Sequence, residues 1–341
     1  MLTRVLSGVR RLRRRWTGHA LILLYHRISD VAFDPWSLCV TPQHFAEHLE
    51  ILNRRTSPIT LTRLITCVET GAFPSRPVVV TFDDGYADNV LSAKPVLERF
   101  DVPAICFITT GRIGDRVEFW WDRLERVLFE PPCLPSSLHL TVDGKSMEWQ
   151  LESDGYARRQ LLPSMWRAWE KPQTERHHLY QVLWQLLHPL QASERDEVLM
   201  ELVRWSGIEP AARETHRRLS TPELRTLAQS RLVEVGAHSR THSRLSSLPV
   251  SMQREEIVGS KEDLERSLDH PVAAFSYPYG GAADYSAVTA SIVKEAGFRS
   301  ACSNIPGQVS RGTDLFALPR VHIHDGDGEA FSRQLSAWFE G

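Results

Sequence analysis

Short aliphatic runs separated by helical stretches constrain this chain more than any other feature. The strand candidates are "LILLYH" (21–26), "VVVTF" (78–82), "AICFIT" (104–109), "VEVGAH" (233–238), "AAFSYP" (273–278), "SACSN" (300–304) and "LPRVHIH" (318–324). A further short strand is expected near Pro58 to Leu61. The runs are apolar at nearly every position, as strands covered on both faces must be; a sheet with one wet face would alternate. Helices are expected from Thr41-Pro42 and from Thr221-Pro222-Glu223, each with a hydroxyl before a proline in the first turn, and over about 88–100, 251–268 and 285–296. This alternation predicts an α/β fold: a parallel sheet covered by helices, most simply a distorted (β/α) barrel of about seven strands.

The alternation breaks between about Arg112 and Ser220, where "EFWWDRLERVLF", a hairpin pattern around Asp143-Gly144 and Trp- and Leu-rich helical sequence follow one another. The expected organisation is therefore a basic amphipathic segment (1–19), a barrel built from 20–111 and 219–341, and a mostly helical insertion (112–218) over one end of it. A net charge of -2 gives no global pull toward nucleic acid. The five cysteines are scattered with no C-x-x-C pair, which argues against a disulfide framework or a thiolate zinc site. In the first segment Leu2, Val5, Leu6, Val9, Leu12 and Trp16 share one helical face, with most of the arginines elsewhere. Residues 1–16 are thus a candidate for peripheral contact with an anionic membrane surface. The apolar run Ala20–Tyr25 is too short for a signal-peptide core, so the expected location is the cytoplasm, on or near the inner membrane surface.

Three motifs carry chemistry. "VVVTFDDGY" ends a strand in two adjacent carboxylates, Asp83 and Asp84, which repel each other and resist burial unless a cation compensates. "GAHSRTH" follows another strand with His238 and His242, whose spacing brings both imidazoles to one side if the turn is helical. "SYPYGG" ends a third strand in a sharp turn able to present a backbone N–H. In a parallel barrel all these strand ends meet on one face. Two histidines and one carboxylate, Asp84, then suit a divalent metal, and Asp83 beside them suits a base that the ion's charge keeps ionised.

"TFDDGY", "HSRTH" and "YPYG", in this order, resemble the first three motifs of the polysaccharide deacetylases of the chitooligosaccharide deacetylase type, the NodB-homology domain of carbohydrate esterase family 4. "LLYHRI", "TPEL" with "LVEVGAHS", and "LPRVHI" extend the likeness over about 20–111 and 219–340. The resemblance implies metal-dependent hydrolysis of an N-acetyl group on an amino sugar, polymeric or lipid-linked. Asp84, His238 and His242 would hold one divalent ion, expected to be zinc, and Asp83 would take a proton from the attacking water. The Tyr279 backbone N–H would stabilise the oxyanion. Thr81 and Tyr86 are then supports, Pro278 and Gly280 shape the loop, and Tyr86, Pro278, Gly280 and His26 are candidates to meet substrate.

The third motif of the family usually carries arginine two residues before the proline, where this chain has Ser276. Arg320, near the end of the last expected strand, is the candidate replacement. The family's general acid is a histidine on that strand; His322 and His324 both fit, and spacing does not choose between them. Other readings of the same residues are a metal amidase acting on a small non-sugar amide and a catalytically silent carbohydrate-binding protein. An iron oxygenase shares the ligand types but leaves Asp83 and the Tyr-Pro-Tyr-Gly turn without a purpose.

Overall fold

The structure is a computed structural model and describes residues 18–142, 144–151 and 166–340. The amphipathic segment 1–16 expected to meet a membrane lies outside the described residues. The strands in chain order are β1 Leu21–Tyr25, β2 Arg27–Ile28, β3 Cys39–Val40, β4 Ser57–Pro58, β5 Pro77–Phe82, β6 Ala104–Ile108, β7 Ser137–Val142, β8 Lys145–Gln150, β9 Val233–Ala237, β10 Ala274–Ser276, β11 Ser300–Cys302 and β12 Val321–His322. Seven of them form one parallel sheet in the order β11-β10-β9-β6-β5-β1-β12, with β4 adding to the start of β5. The sheet curls into a half-barrel. Its two edges approach through Leu318, whose N–H and C=O bond Ala301 and Ser303, while a few residues later Ile323 bonds Leu24.

The last strand is shorter than the 318–324 expected. Pro319 has no N–H to give, and the Arg320 N–H turns aside to the Ile305 carbonyl. Only Val321 and His322 pair with β1.

Period-two alternation sorts each strand into two faces. Leu21, Leu23 and Tyr25, with Val78, Val80 and Phe82, pack on the helix layer through Phe45, Leu49 and Leu52. The opposite set, Ile22, Val79, Ile105, Phe107, Ala274, Cys302 and Leu318, closes around Leu61 and Leu64. A Cβ on Gly236 would lie 2.4 Å from the Phe107 ring, so the crowded interior admits only glycine there. Each fully buried aliphatic side chain contributes about 1.5–3 kcal/mol. Continuing the interior set by twos beyond the core leads to His26, Asp83, His238, Asn304, Arg320 and His322, which crown its carboxyl end.

The helix Pro42–Arg55 starts as expected: the Thr41 hydroxyl accepts from His44 N at 3.3 Å and proline occupies the first turn. The cap of Thr221–Ala228 lies one residue earlier than expected. Ser220, not Thr221, caps it, because Glu223 completes a reciprocal capping box with Ser220.

Between Arg112 and Arg218 the chain leaves the sheet. The helices Trp120–Phe129, Glu175–Leu187 and Ala192–Ser206 and the β7–β8 hairpin share a second apolar core around Leu124, Leu128, Tyr180, Leu183 and Leu199. Trp36, from the loop between β2 and β3, and Tyr279 pack against this core, which ties it to the sheet's carboxyl end. No described helix is long and apolar enough to cross a membrane.

Candidate active site

The two neighbouring carboxylates are buried, Asp83 at 1% and Asp84 at 2% exposure, and each has its own compensation. Asp83 receives a bidentate clamp: Arg320 Nη1 donates to Oδ1 at 2.8 Å and Nη2 to Oδ2 at 2.6 Å. Ser276 Oγ donates to Oδ2 at 3.0 Å and accepts from Arg320 Nη2 at 2.8 Å. Thr81 Oγ1 and the Ser303 carbonyl accept from Nη1 and Nε, and Asn304 Oδ1 shares the Nη2 donors with Asp83 and Ser276. Burial is the strongest influence on Asp83 and raises its pKa, yet Arg320 and His238 together hold the carboxyl below its ordinary value. Arginine thus reaches the carboxylate from the last strand, while a serine occupies the position where the motif would carry it.

Asp84 faces the two histidines. Its Oδ1 lies 3.5 Å from His238 Nε2 and 3.2 Å from His242 Nε2. One ligand atom from each residue lies within 4.8 Å of the others. These separations match the edge of a tetrahedron with bonds of about 2.0–2.2 Å to a central ion. His238 Nδ1 lies 2.8 Å from the Ser276 carbonyl, a contact that fixes the Nδ1–H tautomer and directs the Nε2 lone pair at the site. Burial pushes His242 down to about 4, so its imidazole is neutral and able to ligate. Burial acts against the Asp84 charge, but the two imidazoles hold its carboxyl well below the ordinary range. The donor set therefore fits a divalent ion such as zinc.

The histidines are not on a helical turn, as their spacing had suggested. Ser239 and His242 have φ of 59° and 55°. The loop is held by Glu256 from the helix Val250–Leu268, which accepts from Arg240 N, Thr241 N and Thr241 Oγ1 at 2.7–2.9 Å. Asp84 and Tyr279 also adopt left-handed conformations, at φ of 76° and 62°. Each such non-glycine residue costs about 1–3 kcal/mol, and such strain gathers where function requires it.

The triad sits at the floor of a cavity of about 270 Å³. His26, His322 and His324 form one wall, with ring centroids 4.9 and 4.4 Å apart. Both candidate acids reach the cavity, His322 mostly buried and His324 exposed. His26 Nδ1 and His322 Nε2 have no hydrogen-bond partner among the described residues. Burial keeps both of these rings below the ordinary histidine pKa. The Tyr279 ring packs on His242 at 4.7 Å, and Asn304 Nδ2 holds the Tyr279 carbonyl at 2.7 Å.

Of the four candidates to meet substrate, His26 alone lines this cavity. Tyr86 is wholly buried and turned away; its hydroxyl donates to Asp122 at 2.7 Å and accepts from Trp121 Nε1 at 2.8 Å. The left-handed pair Asp84-Gly85 ends the strand alternation and swings Tyr86 toward the helix Trp120–Phe129. Pro278 and Gly280 are likewise buried off the cavity and act on loop shape, since a Cβ on Gly280 would meet Asn304 N at 2.7 Å. Sequence reasoning missed Asn304, whose signal is its place two residues beyond β11 on the interior parity. It also missed Trp36 as a cavity wall; the half-buried and exposed tryptophans of the insertion, expected either to contact a sugar or to glue the insertion to the core, include Trp169 and Trp184, which line the cavity.

A polysaccharide deacetylase family model matches residues 70–133 and 208–301. The poly-beta-1,6-N-acetyl-D-glucosamine N-deacetylase of Staphylococcus epidermidis is 34% identical over 108 residues, 28% of this chain and 37% of that protein. The protein of the same description from Staphylococcus aureus is 28% identical over 109 residues, 28% of this chain and 38% of that one. The chain thus aligns with well under half the length of these relatives. Among solved structures, the Streptococcus pyogenes deacetylase PplD in complex with acetate superposes with a TM-score of 0.58 at 16% identity, covering 95% of this chain and 100% of that one. IcaB from Ammonifex degensii gives 0.57 at 16% identity, covering 95% and 99%. These likenesses establish the shared fold. The two stretches matched by the family model pass through the residues that meet at the cavity floor, Asp83 and Asp84 in one, His238 and His242 in the other, and over the part of the chain that carries the site it is similar to the polysaccharide deacetylase family.

Proposed function

We propose that this protein is a metal-dependent N-deacetylase of an amino-sugar polymer or oligomer, hydrolysing the acetamide of N-acetylglucosamine units to acetate and a free amine. The observation that carries the reading is Asp83, a buried carboxylate clamped ionised by Arg320 beside an Asp84–His238–His242 donor set at the floor of an open cavity. The names of the staphylococcal relatives support a β-1,6-linked N-acetylglucosamine polymer as the substrate.

A zinc ion held by Asp84, His238 and His242 would supply Lewis acidity, lowering the pKa of water and polarising the acetamide carbonyl. Asp83 then takes the proton of the attacking water. Arg320, Ser276 and Thr81 keep that carboxylate oriented and charged while the substrate is bound. As the carbonyl oxygen gains charge, the Tyr279 backbone N–H donates to it, from a left-handed turn that also seats the Tyr279 ring on His242. The C–N bond breaks as a proton reaches the departing nitrogen from the His322–His324 side of the cavity. His322, held neutral by burial and with its Nε2 unpartnered among the described residues, relays to that nitrogen the proton that Asp83 took from the water, so the step closes with no net proton gained or lost.

Acetate release from N-acetylglucosamine oligomers tests the reading. Metal-stripped protein should be inactive and should recover on addition of zinc or cobalt. Acetate release that is indifferent to metal, or a small non-sugar acetamide outrunning every oligomer, would overturn it.

A further inference from the structure

From the triad outward, one wall of the cavity is aromatic without a break. Tyr279 packs on His242 at 4.7 Å, Trp184 on Tyr279 at 6.5 Å, Trp36 on Trp184 at 4.7 Å and Trp169 on Trp36 at 6.4 Å. The sequence of contacts runs from the cavity floor to its rim. Three of these rings lie off the barrel strands: Trp36 in the loop between β2 and β3, Trp184 in the helix Glu175–Leu187, and Trp169 in the turn before that helix.

The inner rings are anchored. Trp36 Nε1 donates to Tyr180 Oη at 2.7 Å, and Trp184 stacks on His188 at 4.4 Å. Trp169 is different: it is 59% exposed although large and apolar. Its backbone is fixed nonetheless, because Ala168 N bonds the Pro35 carbonyl at 2.8 Å and Gln181 Nε2 bonds the carbonyls of Ala168 and Glu170 at 2.7 and 2.8 Å. A rigidly mounted, uncovered indole continuous with a reaction site is a binding platform rather than packing material.

We propose that Trp169, with Trp36 beside it, forms a second sugar subsite at the cavity rim, which stacks against the ring of a neutral pyranose linked to the unit being deacetylated. A single sugar held at the triad leaves the outer end of the aromatic wall bare; an adjoining ring covers it. The chemistry selects a sugar over an acyl chain or an apolar peptide. Aromatic faces here alternate with hydrogen-bonding groups, His324 at 6.4 Å from Trp169 and the imidazoles of His26 and His322 opposite. A pyranose offers the matching surface, C–H faces with hydroxyls at its edge.

The charge selects a neutral one. Among the described residues, the cavity is lined by Asp83 and Asp84 and by no lysine or arginine. The two arginines behind its walls, Arg320 and Arg195, are 1% and 3% exposed. Arg320 is committed to Asp83, and Arg195 lies over the Trp120 ring at 5.2 Å. Inside the cavity, a phosphorylated or uronic-acid ring would meet these carboxylates and no cation among the described lining residues.

The inference rests on the deacetylase reading for its setting but is tested by binding as well as by turnover. In Asp83→Asn protein, calorimetric titration with the β-1,6-linked N-acetylglucosamine trimer should show Trp169→Ala binding about tenfold weaker than the parent, with Trp169→Phe restoring most of the loss. In protein with Asp83 intact, the ratio of kcat/KM for trimer over monomer should fall about tenfold in Trp169→Ala. Trimer binding and a chain-length ratio unchanged by Trp169→Ala overturn the subsite. So does a uronic-acid trimer binding as tightly as the neutral one. A parent that binds the trimer through Trp169 yet releases no acetate at saturating zinc keeps the subsite and sinks the deacetylase reading instead.

Discussion

Replacing Arg320 by methionine removes a charge from the most crowded point of the site at little change in volume. In the parent, the guanidinium makes charge-assisted bonds of 2.8 and 2.6 Å to the two oxygens of Asp83, and both residues are 1% exposed. Without it the carboxylate is buried and unpaired, a situation that costs about 3–5 kcal/mol. Part of the cost is relieved when Asp83 takes up a proton, because Arg320 is what chiefly opposes burial there. Asp83→Asn alone strands the arginine in the same way, whereas the double variant strands neither. A double-mutant cycle on metal-stripped protein, read by urea unfolding at pH 7, should therefore give a coupling of about 2–4 kcal/mol between Asp83 and Arg320. Arg320→Met should also lower kcat/KM by about 10²–10⁴ at neutral pH, as expected when a general base loses its charge. Additive losses, with a coupling below about 0.5 kcal/mol, would refute the view that Arg320 has taken over the clamp from the position of Ser276.

Two buried groups away from the metal ligands make opposite pH predictions. His48 accepts from Tyr25 Oη at 3.2 Å, bonds the Gly326 carbonyl at 2.8 Å and is pushed by burial from 6.5 to about 4. Between those values the unfolded chain binds the proton and the folded one does not, so stability falls on acidification from about pH 6.5 to 4, by about 3 kcal/mol from this group. His48→Gln should flatten that loss in unfolding curves, and an equally steep acid limb in the variant would contradict it. Asp122 is raised chiefly by burial from 3.8 to about 8, against the pull of Arg27. Here the folded state holds the extra proton, so its stability contribution is complete below pH 3.8 and lost as pH rises through about 8. Asp122→Asn should gain roughly 3 kcal/mol on the parent between pH 5 and 8; a constant difference across that range would show that Asp122 is ionised throughout.

How far these features could be read from the chain depends on whether they are local. Strand parity is local. "VVVTFDD" alternates Val79, Thr81 and Asp83 onto the interior face, so the carboxylate proposed as the base is legible as the last member of a buried series. Arg320 and His322 are legible by the same count on the last strand, although only closure of the sheet shows that Arg320 lies within reach of Ser276 and Asp83. The count fails where the backbone turns left-handed. At Asp84-Gly85 it sends Tyr86 out of the site, and at Ser239 and His242 it brings the two histidines together by a route that no helical spacing describes. Residues 112–218 were legible as a break in the pattern but not in their path. That Trp36, Trp169 and Trp184 converge depends on contacts such as Ala168 N to the Pro35 carbonyl, between segments more than a hundred residues apart in sequence.

The division of labour between the two adjacent aspartates is the central claim: Asp84 binds the ion with His238 and His242, and Asp83 moves the proton. Zinc stoichiometry and acetate release measured together on Asp83→Asn and Asp84→Asn test it most directly. Asp83→Asn should retain one zinc per chain and lose turnover, and Asp84→Asn should lose the zinc as well. Full turnover in Asp83→Asn, or loss of zinc from Asp83→Asn with retention in Asp84→Asn, would contradict the assignment.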